Sequence, residues 1–160
     1  MVMVTDGELF GTPEQFGVSQ KESNPKDKFG VKKASMSYVP SGPLMELALG
    51  MQEGGYKYGR HNFRTIGVRA SVYYDAAMRH LMAWWEGEDL DPHSGAGLHH
   101  ISKCIASLVV LRDAMVNDMW VDDRPPKMAD GWIEALSAKV EELTEAYPNP
   151  AAPHVEKDNG

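Results

Sequence analysis

Four carboxylates fall within six residues in Glu86-Gly87-Glu88-Asp89-Leu90-Asp91. Oxygen donors at that density suit a hard divalent cation. They also follow a helical stretch whose C-terminal dipole disfavours acids, so a cation would relieve their repulsion. His99 and His100 come next and can approach Glu86 if the flanking helices pack antiparallel. A solvated acidic loop is the plain alternative. A second set lies upstream. Glu46, Gly50, Glu53 and Lys57 recur at three- and four-residue steps and share one helix face. Asp75, Arg79, Met82 and Glu86 form a narrow stripe on a helix that is otherwise apolar. In an antiparallel pair of these helices, Glu53 and Asp75 each stand ~7–8 Å from the connecting turn. They could then share a divalent cation, with Lys57 and Arg79 beside it for a phosphate. Ordinary ion pairs, Glu53–Lys57 and Asp75–Arg79, account for the same spacing.

The connection Lys57-Tyr58-Gly59-Arg60-His61-Asn62-Phe63-Arg64 gathers cations and an amide, a composition that binds phosphate and a base edge. Gly54 and Gly59 have Walker-loop spacing, but Arg60-His61 replaces the Lys-Ser/Thr pair and a helix precedes it, which rejects a P-loop. His80 lies on the apolar side of its helix, where a hydrogen-bonded core histidine is the simpler reading than a ligand. Glu141-Glu142-Leu143-Thr144-Glu145 resembles the EExxE pattern of MazG-type pyrophosphohydrolases. Yet Glu134, Glu141 and Glu145 lie opposite an apolar face and no second acidic helix follows. The chain has no His-Asp dipeptide and no GxSxG elbow, and Cys104 sits in a core-like helix, which disfavours HD-type and nucleophilic hydrolysis.

Four helical stretches must position these groups. The first runs from about Leu44 to Tyr58, with Ser41 as cap and Pro43 in the first turn. The second covers about Ala70 to Trp85. The third covers about Ala96 to Asp118, with Leu98, Ile101, Ile105, Leu108, Val109 and Met115 as its core arc and His100, Cys104, Ser107 and Leu111 at the arc's edge. The fourth covers about Asp130 to Tyr147, with Trp132, Ile133, Leu136, Val140 and Leu143 buried. No alternating strand pattern of useful length appears between residues 42 and 147. The expected fold is all-α, a bundle of three or four helices over residues 41–147. An irregular arm over residues 1–40 precedes it, and a loose tail over residues 148–160 follows.

With 160 residues and a net charge of −7, the chain suits one domain and is a poor candidate for coating duplex nucleic acid. A single cysteine excludes an internal disulfide framework and a Cys-rich zinc site. The longest uncharged apolar run, Cys104 to Leu111, is far short of a membrane span, and the N-terminus lacks the order of a secretory signal. A cytoplasmic setting is expected, and a homo-oligomer, since bundles of this size often complete their cores by pairing.

The blocks NPKD (24–27), KYGRHNFR (57–64), GVRASVYYDAAMRHLMAWWEGED (67–89), SGAGLHH (94–100) and DDRPP (122–126), in this order, resemble a phage-encoded family labelled dATP/dGTP diphosphohydrolase, N-terminal-type. That family is associated with MazG/MazZ-like nucleotide pyrophosphohydrolases. The resemblance implies a MazG-like helical fold. It also implies hydrolysis of a purine deoxynucleoside triphosphate to monophosphate and pyrophosphate, assisted by Mg²⁺ or Mn²⁺, in remodelling a host nucleotide pool. The family pattern matches at Lys26, Asp27, Glu46, Lys57, Tyr58, Asn62, Arg64, Arg69, Asp75, Arg79, His80, Glu88, His99, His100, Asp122 and Arg124. Glu53 stands where relatives are acidic, and Lys103 stands where they often carry a histidine.

Together these readings place catalysis on Asp75, Arg79, His80 and Lys57. Substrate contacts fall to Lys26, Tyr58, Arg60, Asn62, Arg64, Arg69 and Arg124. Metal ligation is expected from Glu46, Glu53, Asp75, Glu86, Glu88, Asp89 and His100, with water attacking the α-phosphorus. A nucleotide-binding or host-interaction protein without catalysis, and a purely structural helical protein, are the rival classes.

Overall fold

The computed structural model describes residues 26–30 and 32–154, so most of the expected arm and the end of the expected tail lie outside it. The described residues form two compact units with their boundary between Asp122 and Asp123.

In the first unit a short helix α1 (Asp27–Gly30) and a 3-10 turn (Met36–Tyr38) lead into α2 (Ser41–Tyr58). Pro40, not Ser41, stands at the cap of α2, and Gly59 ends that helix at a φ of 92° that favours glycine. One further turn, α3 (Asn62–Thr65), precedes strand β1 (Val68–Arg69), and α4 (Ala70–Trp85) follows directly. The acidic segment then leads to α5 (His100–Val116) and strand β2 (Trp120–Val121). The fold is all-α apart from β1 and β2, which pair in parallel with Val68 opposite Trp120. Strands of two residues carry no alternation, so sequence pattern alone does not show them.

Helix α5 is the centre of this unit, and α2, α3 and α4 all pack on it. The expected antiparallel pairing of α2 with α4 is replaced by packing of each against α5. The buried residues of α5 are His100, Ser102, Cys104, Ala106 and Ala114, all small or polar. Its expected arc is therefore corrected, for Leu108 and Val109 are exposed while His100 and Cys104 are buried. A helix contacted on more than one side buries its small residues where neighbours come closest, whatever its apolar stripe suggests. Gly50 of α2 shows how close: a Cβ there would meet the Ala106 Cβ at 3.4 Å. Below that crossing Phe63, Val68 and Ala114 form a small core, with Met51, Tyr73, Val110, Leu111 and Trp120 packed around it.

Between α4 and α5 the acidic segment turns back on itself. Leu90 bridges His99, the Asp91 N–H donates to the Leu98 carbonyl (2.9 Å), and the His100 N–H donates to the Asp89 carbonyl (2.9 Å). His99, rather than a residue near Ala96, caps α5 by accepting the Ile101 N–H on Nδ1 (3.1 Å). Asp89 and Asp91 are thereby brought from the end of α4 to the N-terminus of α5, where the dipole favours negative charge, while Glu86 stays at the cap of α4.

The second unit contains α6 (Trp132–Ala146). Its expected buried face is corrected: Trp132, Ile133, Leu136, Val140 and Leu143 are 44% to 60% exposed. Glu134, Glu141 and Glu145 are exposed as well. An amphipathic pattern reports a capacity for burial, and only a partner realises it.

Gly67 has a φ of 85°, and a Cβ on it would lie 2.9 Å from the Met119 carbonyl oxygen, which accepts the Val68 N–H. Gly67→Ala is expected to destabilise the fold by about 2 kcal/mol or more, from left-handed strain plus a backbone clash. Phe63→Ala should cost about 3 kcal/mol. Urea denaturation of both variants checks these values; an unchanged midpoint for Gly67→Ala would contradict the close β1–β2 approach.

Candidate functional site

Helices α2, α4 and α5 and the 59–61 turn enclose a groove of about 1270 Å³. Glu53, Lys57, Tyr58, Arg60, Asn62, Arg79 and His80, all expected at the site, line it. Lys103 of α5 lines it too. The lining therefore holds four full cations, Lys57, Arg60, Arg79 and Lys103, against the single carboxylate of Glu53. A groove of that sign in a chain of net charge −7 is a local inversion that favours an anionic ligand. Tyr58 and Tyr73 add ring surface.

At one wall the charges interlock. Glu53 Oε1 accepts from Lys57 Nζ (2.8 Å) and from the Gly95 N–H (3.1 Å). Its other oxygen lies 3.2 Å from Lys103 Nζ. Lys103 also donates to Asp91, whose second oxygen accepts the His93 N–H at 2.9 Å. One ammonium thus ties α5 to α2 and to the turn after α4. Burial opposes charge on each member, but the ion pairs prevail. Desolvation would raise the Glu53 carboxyl, yet Lys57, Gly95 and Lys103 lower it from 4.5 to about 2. Asp91 is likewise lowered against its burial by Lys103 and the His93 N–H, and Lys103 is raised against its burial by both carboxylates.

His80 and His100 face each other at their Nδ1 atoms, 2.8 Å apart, so one ring donates and the other accepts. Burial lowers the His80 pKa, and the Lys103 charge adds to this. That shift favours the neutral imidazole. The bond to His100 matches the hydrogen-bonded core histidine read from sequence, and His80 lines the groove as well. His100 is 5% exposed. Its Nε2 lies 3.3 Å from Glu88 Oε2 but out of line for a hydrogen bond. His99 Nε2 stands 3.8 Å from Asp89 Oδ1.

The remaining expected site residues fall elsewhere. Asp75 is exposed on α4 and is not among the groove-lining residues, whereas Glu53 is. Glu46 accepts a hydrogen bond from the Ser102 hydroxyl and lines a separate pocket of about 270 Å³. Glu86 is exposed at the end of α4. Arg64 is committed to Asp113 by two bonds of 2.8 and 2.6 Å. Lys26 and Arg69 are exposed and outside the groove lining, and Arg124 belongs to the second unit. Burial raises the Cys104 thiol pKa, which keeps it inert. Sequence reasoning left Asp91 and Lys103 out of the site. The spacing of Lys103 three residues after His100 was a usable signal, since it puts both on one side of α5.

The donors present do not fit a resident divalent centre. Among the described residues no three His, Cys, Asp or Glu side chains converge as metal ligands. Glu53 and Asp91 are already paired with Lys103, Glu53 with Lys57 as well, and Glu46 is held by Ser102.

Because the folded Glu53 pKa lies below its unfolded value, its contribution to stability is full above pH 4.5 and is lost as pH falls toward 2. Acid unfolding of Glu53→Gln is expected to depend less steeply on pH across that window than the wild type. Urea midpoints taken at steps between those pH values check this, and parallel curves would refute the interlocked charges.

Residues 23–124 match the family described as dATP/dGTP diphosphohydrolase, N-terminal. No curated protein matches the chain. No solved structure matches it either. The family match takes in every element that builds the groove and well over half of the sequence, and on that ground the chain belongs to the dATP/dGTP diphosphohydrolase, N-terminal family.

Proposed function

We propose that the groove binds a purine deoxynucleoside triphosphate and hydrolyses it to the monophosphate and pyrophosphate. The observation that carries this reading is the cationic lining of the groove in an acidic chain. The family's name supports a diphosphohydrolase acting on dATP or dGTP. In this reading Lys57, Arg60 and Arg79 hold the triphosphate, Asn62 contacts the base edge and Tyr58 stacks on it. Mg²⁺ or Mn²⁺ arrives as part of the metal–triphosphate substrate, since such ions are commonly held by phosphates with few protein ligands. Water attacks the α-phosphorus and forms the new P–O bond. Neutral His80 accepts its proton, and the bond to the β-phosphate oxygen breaks as the cations stabilise the departing pyrophosphate. Such an activity would serve a phage by reshaping the host deoxynucleotide pool.

A non-catalytic nucleotide-binding protein is the second reading. It is favoured by one observation, that Glu53 is locked to two lysines and a backbone N–H. We also infer a homo-oligomer. No large side chain among the described residues is fully buried, and the apolar face of α6 is exposed. The setting proposed is the cytoplasm; no described helix is long and apolar enough to cross a membrane.

The test is a panel of dNTPs with and without Mg²⁺ or Mn²⁺, with products resolved as nucleoside, mono- or diphosphate. Monophosphate plus pyrophosphate from dATP or dGTP is expected, with kcat/KM about 100-fold lower in Arg79→Ala and little changed in Asp75→Ala. Nucleotide binding without turnover would establish the second reading, and no binding would remove both. Light scattering on the eluting protein should give a multiple of the 17.7 kDa chain mass.

A further inference from the structure

Lys103 is an unusual lysine. Its side chain is 15% exposed, and its ammonium sits between two carboxylates brought from different parts of the fold, Glu53 of α2 and Asp91 of the turn after α4. Their side chains are 15% and 5% exposed. A cation held between carboxylates of separate elements at such depth is the arrangement that divalent ions commonly create in proteins. Here the charge is covalently part of the chain. We infer that the Lys103 ammonium is a built-in cation, occupying the place between Glu53 and Asp91 where a divalent ion would sit and excluding one from it.

The geometry gives this content. Three elements meet at one Nζ, and three further acceptor sites on the two carboxylates are used by Lys57 Nζ and by the N–H groups of Gly95 and His93. A divalent ion entering here must expel a buried ammonium that is paired twice, leaving it uncompensated. The consequence reaches the groove, which Lys103 lines: that stretch of wall is charge-paired without a loaded metal, and the positive excess of the lining is left to Arg60 and Arg79. That consequence rests on the nucleotide reading, whereas the exclusion of a resident ion does not.

The inference predicts how to make a metal site. A histidine Nε2 falls about 2 Å short of the reach of a lysine Nζ, roughly one metal–nitrogen bond. In Lys103→His an ion bound to the imidazole would therefore lie where the ammonium now lies, with Glu53 and Asp91 completing three ligands.

The experiment is a titration of Mn²⁺ into the full-length chain without nucleotide, read by the electron paramagnetic resonance signal of the free ion. Wild-type protein should leave that signal unattenuated at one equivalent. Lys103→His should bind Mn²⁺ at least about tenfold more tightly, and Asp91→Asn in that background should abolish the gain. Stoichiometric binding by the wild type overturns the inference, as does a folded Lys103→His, judged by circular dichroism, that gains nothing. Reductive methylation of the wild type with peptide mass spectrometry decides the matter if the variant does not fold. Lys103 should label at least tenfold more slowly than Lys57, whose side chain is 42% exposed, with or without Mn²⁺. Mn²⁺-accelerated labelling of Lys103 would overturn the inference. None of these readouts uses turnover, so a failure here and a failure of the dNTP assay are separate results.

Discussion

A buried charge must be answered where it lies, and Lys103 imposes that condition on the first unit. Its ammonium sits low on α5 and needs carboxylates from elsewhere, which fixes how α2 and the turn after α4 approach. Removing one partner of such a cluster leaves a poorly solvated charge short of a counterion, which is destabilising. The cluster is therefore less a source of net stability than a constraint on arrangement. With Asp91 held, the 86–99 segment must turn back, and its backbone delivers the Gly95 N–H to Glu53. The acidic run thereby becomes a wall of ordered loop at the head of α5.

Close packing does the complementary work. Gly50 and Ala106 let α2 reach α5, and a side chain larger than alanine at either place would separate them. The apolar core is small, with Phe63, Val68 and Ala114 at its centre. The parallel contact of β1 and β2 ties the start of α4 to the chain leaving α5. Polar ties and short backbone contacts thus carry an unusual share of the positioning in this unit.

The groove inherits its character from both. Its cations come from separate elements: Lys57 from α2, Arg60 from the turn that follows, Arg79 from α4 and Lys103 from α5. Each is an unremarkable surface or helix residue when read alone. Together they outnumber Glu53, the one acid among the lining residues, with Asp91 paired to Lys103 behind it, and this cation-rich groove exists only once the three helices are assembled. The family's name is that of a nucleotide diphosphohydrolase, and the cation-rich lining of the groove has the sign that suits an anionic ligand.

Sequence by itself determined the four long helices. The extent of α4 was readable to the residue, and α2 and α6 to within about three, because helical periodicity and terminal signals are local. It also singled out most of the residues that line the groove, because Lys57 to Asn62 and Arg79-His80 are chemically distinctive in contiguous blocks. Only the tertiary structure decided the partners. Periodicity ranks the faces of one helix but does not say how many neighbours that helix has, so α5 was assigned one apolar arc when it serves several helices. The same limit gave α6 a buried face that is exposed. Lys103 drew notice only as a departure from a pattern. Its partners are far from it in the chain, and the value of a buried lysine is set by the carboxylates that the fold brings to it.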